Sequence, residues 1–184
     1  MNLPNALTVG RIFLVPLLVV VLLTKFEGRL ILGVRKELVG AAIFGVAALT
    51  DLLDGYLARR RKQITTVGQL MDPLADKLLI AGALISLVQM DLVPAWMAVG
   101  LIGRELYVTV LRSVAHAKGL IIPASPMGKV KMAAEVTAIL ALILGQVEDL
   151  RALHVIGIIA LWVAMITAVI SGADYYRRFA RSGL

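Results

Sequence analysis

Asp51-Leu52-Leu53-Asp54-Gly55-Tyr56-Leu57-Ala58-Arg59 and, after a short basic connector, Gly68-Gln69-Leu70-Met71-Asp72-Pro73-Leu74-Ala75-Asp76-Lys77 lie at the joined ends of two strongly apolar segments. An ionised side chain at the centre of a bilayer costs about 2.5 to 3.5 kcal/mol on insertion scales. Four carboxylates in such a setting must be paired, bound to cations or close to water. The stretch therefore predicts two membrane helices that meet at a polar site.

The whole chain fits that setting. It has 184 residues, 60% of them hydrophobic, with a mean hydropathy of +0.90, well above the 45–50% apolar content of ordinary soluble domains. Six apolar segments of about the 20 residues that a spanning helix needs are predicted near 4–24, 38–60, 67–90, 93–116, 127–147 and 152–176. The expected fold is all-α, a polytopic membrane protein with about six transmembrane helices, forming a single domain over 1–184. The N-terminus lacks a basic region before its apolar run and a small-residue cleavage site after it, so a retained segment is expected.

Composition also excludes chemistries. There is no cysteine, so disulfides, thiolate metal sites and cysteine nucleophiles are ruled out. His116 and His154 are too few and too far apart for a histidine-based metal site. The net charge of +7 need not mean nucleic acid, because the basic residues gather at segment ends, where positive-inside anchoring accounts for them; no nucleic-acid partner is expected. Arg59, Arg60, Arg61, Lys62, Lys118, Lys129, Lys131, Arg177, Arg178 and Arg181 fall on one side, against Lys25, Arg29, Arg35, Lys36 and Arg151 on the other. The richer side should face the cytoplasm, with both termini and the Asp cluster. The connector over 25–36 reads as a short interfacial helix. Arg11, Lys77, Arg104 and Arg112 lie inside or at the edge of apolar segments, where they either snorkel or line a common polar cavity opening to the cytoplasm.

Helical spacing turns the acidic stretch into geometry. Asp51 and Asp54 are i, i+3 neighbours, and Gly68, Asp72 and Asp76 follow one another at i+4, so each set shares one helix face. Gly55, Ala58 and Gly68 leave gaps where a ligand can approach the backbone. Hard divalent cations prefer oxygen ligands, and Mg²⁺ combines a few carboxylates with water and substrate phosphates. Two such ions would balance four Asp and could clamp the attacking and leaving oxygens of a phosphoryl displacement. Taken singly, Asp72 before Pro73 also fits a helix N-cap with proline at the first helical position. A cation transporter with intramembrane Asp residues is the reading from another class, but it gives no reason for the small residues at 55, 58 and 68.

Asp51-x-x-Asp54-Gly55-x-x-Ala58-Arg59, eight residues, then Gly68-x-x-x-Asp72-x-x-x-Asp76 resembles the signature of the CDP-alcohol phosphatidyltransferase family, with no departure at a fixed position. The resemblance implies a six-helix membrane enzyme, a homodimer, in which two divalent cations, Mg²⁺ or Mn²⁺, bind the diphosphate of a CDP-linked lipid. It implies that Asp51, Asp54 and Asp72 are metal ligands, and that Asp76 completes the second metal site and acts as general base. Gly55, Ala58, Arg59 and Gly68 would form the cytidine and diphosphate pocket.

The second half of the chain bears on the acceptor alcohol. Arg104 and Arg112 are i, i+8 and can face one side of a helix, and Lys129 and Lys131 follow on the next segment. Such a cluster suits a phosphate-bearing acceptor, since Arg grips phosphate bidentately and Lys as a point charge. Together with Asn2-Leu-Pro4-Asn5-x-Leu7-Thr8-x-x-Arg11, Gly128-Lys129-x-Lys131 and Ser171-Gly172-x-Asp174-Tyr175-Tyr176, these residues resemble the branch of the family that forms phosphatidylglycerophosphate. That implies CDP-diacylglycerol and glycerol 3-phosphate as substrates, Asn5 and Arg11 near the diphosphate, and Arg104, Arg112, Lys129 and Lys131 on the acceptor phosphate. A cardiolipin synthase or inositol-phosphate transferase of the same family is the alternative. Among local readings, Glu105 is expected to neutralise Arg104 or Arg112. Lys129 and Lys131 can also be read as headgroup anchors, and Asp174, Tyr175 and Tyr176 as interfacial residues.

Overall fold

The computed structural model describes the backbone of residues 3–24, 30–31, 33–61, 66–119 and 126–181, and the side chains of 9–24, 30–31, 33–50, 73–119 and 126–180. Six long helices dominate these residues: α1 (Leu3–Leu23), α2 (Lys36–Arg61), α3 (Thr66–Gln89), α4 (Ala95–Ala117), α5 (Pro126–Leu144) and α6 (Ala152–Arg181). Their order and bounds follow the apolar segments, because a helix satisfies the backbone of an apolar run within the run itself. The connections after α3 and α5 are short, which makes the joined helices antiparallel neighbours. α1 packs on α2 and α3, α5 packs on α6, and α4 rests against α6.

Two local expectations are corrected. In the 25–36 connector, of which 25–29 and 32 lie outside the described residues, Leu30–Ile31 (β1) and Val34–Arg35 (β2) pair as a small antiparallel hairpin where an interfacial helix was expected. Gly33, at φ +82°, supplies the left-handed turn residue it needs. Lys36, just after it, donates from Nζ to the carbonyls of Leu22 and Thr24 at 2.8 and 3.1 Å, closing the end of α1. The second correction concerns Pro73, which lies inside α3. Because the helix already starts at Thr66, Asp72 is not its N-cap, and Pro73 withholds one backbone donor inside the helix.

The core is built from apolar side chains of all six helices, among them Leu18, Phe44, Leu84, Leu101, Ile139 and Leu161. The outer surface is apolar too: Phe13 is 71% exposed, Val99 70% and Ile159 60%. Charge runs the other way, with Arg11, Lys131 and Glu135 buried. Among the described residues one helix, over Ala152–Ala180, is long and apolar enough by composition to cross a membrane. Helices α4 and α5 interrupt their apolar runs with Arg104, Glu105, Arg112, Lys129, Lys131 and Glu135.

The α5–α6 hairpin is the tightest joint. A Cβ at Gly145 would lie 2.6 Å from the backbone nitrogen of His154 and 2.8 Å from its Cα, so backbone would have to move. At Gly100 the added Cβ would meet only the flexible end of Met165, at 2.7 Å. Gly145→Ala is therefore expected to lower the thermal unfolding midpoint in detergent by roughly 3 to 10 °C, as overpacking does. Gly100→Ala should shift it much less, and equal shifts would contradict this account.

Candidate active site

A cleft of about 440 Å³ opens between α3, α4, α5 and α6, within the size range of small-molecule sites. Asp76 and Lys77 enter it from α3, Arg104, Glu105 and Arg112 from α4, Lys129, Lys131 and Glu135 from α5, and Tyr175 from α6. Helical periodicity explains the gathering. Asp76 and Ile80 are one turn apart, as are Lys131 and Glu135, while Arg104, Val108 and Arg112 repeat at i+4, so each helix turns one stripe to the cleft.

The charged side chains are held by one another. Glu105 Oε1 accepts hydrogen bonds from Arg104 Nη1 and from Lys131 Nζ, each at 2.7 Å. Lys131 Nζ also donates to Glu135 Oε2 at 2.5 Å. Arg104 Nη2 donates to Ser171 Oγ at 2.7 Å, and that hydroxyl donates to the Thr167 carbonyl at 2.6 Å. Arg112 Nη2 donates to the Tyr175 hydroxyl at 2.6 Å, with its guanidinium carbon 5.4 Å from the centre of the same ring, within cation–π range. Taking each ion out of water costs several kcal/mol unless paired, and the two carboxylates against Arg104 and Lys131 supply that pairing. Two buried polar atoms of the network have no hydrogen-bond partner: the donor Arg104 Nε and the acceptor Glu135 Oε1.

The structure thus brings together Asp76, Arg104, Arg112, Lys129 and Lys131. Arg11 is buried on α1, 1% exposed, and is not among the residues lining this cleft, so the common cavity expected for the four intramembrane cations holds Lys77, Arg104 and Arg112. Asn5 on α1, Asp51, Asp54, Gly55, Ala58 and Arg59 on α2, and Gly68 and Asp72 on α3 lie outside the residues whose side chains are described. Their backbones are helical throughout, so the i, i+3 and i, i+4 spacings hold on real helices. Among the described residues no group of three or more His, Asp or Glu side chains is placed to hold a metal ion. The full set Asp51, Asp54, Asp72 and Asp76 offers only carboxylate oxygens, the donor type that Mg²⁺ and Mn²⁺ take.

Glu105 pairs with Arg104, one of the two partners expected for it, and also with Lys131, while Arg112 turns to Tyr175. Lys131 is 2% exposed, which removes the headgroup-anchor reading for it. Tyr175 is buried against Arg112, Tyr176 is exposed, and Asp174 pairs with Arg178 at 3.0 Å on the helix surface. Glu135 lines the cleft and was passed over in the sequence, whereas Ser171, quoted there only as part of the closing motif, proves to be the hydroxyl that holds Arg104. The available signal for Glu135 was its i+4 spacing from Lys131 within an apolar segment.

With this geometry established, comparison with known proteins places the chain. A family model for CDP-alcohol phosphatidyltransferase matches residues 1–170. The CDP-diacylglycerol–glycerol-3-phosphate 3-phosphatidyltransferase of Bacillus subtilis (strain 168) is 42% identical over 182 residues, covering 96% of this chain and 94% of that protein. The protein of the same name from Rickettsia felis is 36% identical over 177 residues, covering 96% and 94%. That of Rickettsia prowazekii is 35% identical, again over 96% and 94%.

Proposed function

The chain belongs to the CDP-alcohol phosphatidyltransferase family, and on that premise we propose that it transfers a phosphatidyl group from CDP-diacylglycerol to sn-glycerol 3-phosphate, giving phosphatidylglycerophosphate and CMP. The relatives carry that reaction in their names. The observation that carries the reading in this chain is the cleft, which sets Asp76 across from Arg104, Arg112, Lys129 and Lys131. A carboxylate facing a cluster of cations suits an acceptor with a hydroxyl at one end and a phosphate at the other.

The phosphate of glycerol 3-phosphate would rest on the four cations, directing the terminal hydroxyl to Asp76. Asp76 takes the proton as that oxygen attacks the lipid-side phosphorus. The bond from this phosphorus to the bridging oxygen then breaks, and CMP leaves with the electron pair. Arg59, with Asn5, Arg11, Gly55, Ala58 and Gly68, would hold the cytidine and diphosphate of the donor. Asp51, Asp54, Asp72 and Asp76 would hold two divalent cations, Mg²⁺ or Mn²⁺, whose charge when bound offsets that of the diphosphate and of the departing CMP.

The same reading includes six helices in the cell (inner) membrane, with the cleft and both termini facing the cytoplasm, acting as one domain of a homodimer. Its support is the inverted surface, apolar outside and charged within, which lipid tolerates and water does not. The excess of Lys and Arg near the cleft end supports that orientation. Lipid tails would lie against exposed side chains such as Leu74 and Leu78 on α3, beside the cleft.

Offering the purified protein CDP-diacylglycerol with glycerol 3-phosphate, phosphatidylglycerol or inositol phosphate in turn, and following CMP release, tests the acceptor. Glycerol 3-phosphate should be used best, and preference for another acceptor would replace this assignment. Lys129 is exposed in the cleft, so Lys129→Met should disturb little packing. It is expected to raise KM for glycerol 3-phosphate roughly 10-fold, as loss of a charged hydrogen bond does, with KM for CDP-diacylglycerol unchanged. An unchanged KM for the acceptor would remove Lys129 from the phosphate site.

A further inference from the structure

Glu135 lies one helical turn beyond Lys131 on α5, 2% exposed, and lines the cleft. Its Oε2 takes the Lys131 ammonium, while Oε1 is buried without a hydrogen-bond partner. Leaving a buried carboxylate oxygen unpaired is costly, and such atoms in native proteins call for an explanation. Pairing with Lys131 uses Oε2 alone and does not account for Oε1.

Position and chemistry suggest what the free oxygen is for. Glu135 lines the same cleft as Asp76, the proposed base, and as the cation cluster of Arg104, Arg112, Lys129 and Lys131. At that cluster, Arg104 Nε is a buried donor without a partner. The cleft that holds Asp76 thus offers an open donor among the cations and an open acceptor beside Lys131. Glycerol 3-phosphate carries the complement in sequence: phosphate oxygens that accept, a secondary hydroxyl that donates, and the terminal hydroxyl that reacts.

We infer that Glu135 Oε1 accepts a hydrogen bond from the secondary hydroxyl of the acceptor, making Glu135 a specificity residue for a glycerol phosphate over a simple hydroxyalkyl phosphate. This rests on the acceptor proposed above. The contact fixes the middle of the acceptor while the phosphate is gripped at one end, so the terminal hydroxyl is presented to Asp76 in one orientation. A site built to bond a hydroxyl discriminates against an analogue lacking it, because its own buried group is then left unpaired.

The test compares glycerol 3-phosphate with 3-hydroxypropyl phosphate, which lacks only the secondary hydroxyl, by kcat/KM for CMP release. Wild type should prefer glycerol 3-phosphate by roughly 10- to 100-fold, and a ratio near one overturns the inference without any variant. In Glu135→Ala the ratio should collapse towards one. Glu135→Met, which keeps the side chain's length, carries the same measurement if the alanine variant does not fold. Should both variants lose activity on the two acceptors by a common factor, Glu135 merely holds Lys131 and the inference fails. Wild type releasing no CMP with either acceptor, while active on phosphatidylglycerol or inositol phosphate, overturns the proposed acceptor and this inference together.

Discussion

Asp76→Asn is expected to lower kcat by about a thousandfold or more, since a general base alone contributes about 10² to 10⁴ and this residue is also a proposed cation ligand. Asn keeps the size of the side chain but can neither take a proton nor supply a charged oxygen. The cost should fall on turnover and leave the fold intact, because Asp76 lies in the cleft and not in the aliphatic core. Single-turnover CMP release measured beside thermal unfolding separates the two effects. A variant that keeps a tenth of wild-type kcat at an unchanged unfolding midpoint would end the assignment of Asp76 as base.

Chelation is expected to be as severe. Excess EDTA should suppress CMP release at least 100-fold, with recovery on adding Mg²⁺ or Mn²⁺ in excess of the chelator, and none on adding NaCl to equal ionic strength. The reason is charge. Asp51, Asp54, Asp72 and Asp76 would confront a diphosphate at close range, and in a site withdrawn from water that repulsion is far stronger than in bulk solvent. Monovalent ions screen exposed charges but do not take a place between carboxylate and phosphate oxygens. Activity persisting in EDTA would show that the four acids do not act through divalent cations.

The helices were legible because each apolar run is nearly as long as the helix it becomes. The misread ends have local causes. Helix α6 continues to Arg181 past its apolar run, where Asp174 and Arg178 form an i, i+4 pair at 3.0 Å on its surface. Helix α5 stops at Leu144 because Gly145, pressed against the backbone of His154, begins the turn to α6. The hairpin at 30–35 escaped because its strands are two residues each, too short for a period to show.

For the site, residue types and helical spacing placed Asp76, Arg104, Arg112, Lys129 and Lys131 on candidate faces, and the cleft joins those faces. Pairings were harder to read. Arg112 reaches Tyr175 and Arg104 reaches Ser171 across more than 60 positions of sequence, and no local pattern on α4 says which neighbour will supply a hydroxyl. Glu135 was overlooked because one acid on an apolar helix reads as an isolated polar residue until Lys131 and Glu105 are seen around it.

The hydroxyls that hold Arg104 and Arg112 have a consequence for biosynthesis. Ser171 and Tyr175 belong to α6, which follows α4 in the chain. On the six-span membrane reading proposed above, two guanidinium groups therefore enter the bilayer during N-to-C synthesis before their partners have been translated. Until then water, lipid phosphates or Glu105 must satisfy them. Docking of α6 is the event that turns an insertion intermediate into a catalyst, and a nascent chain stalled before α6 would be embedded yet inactive.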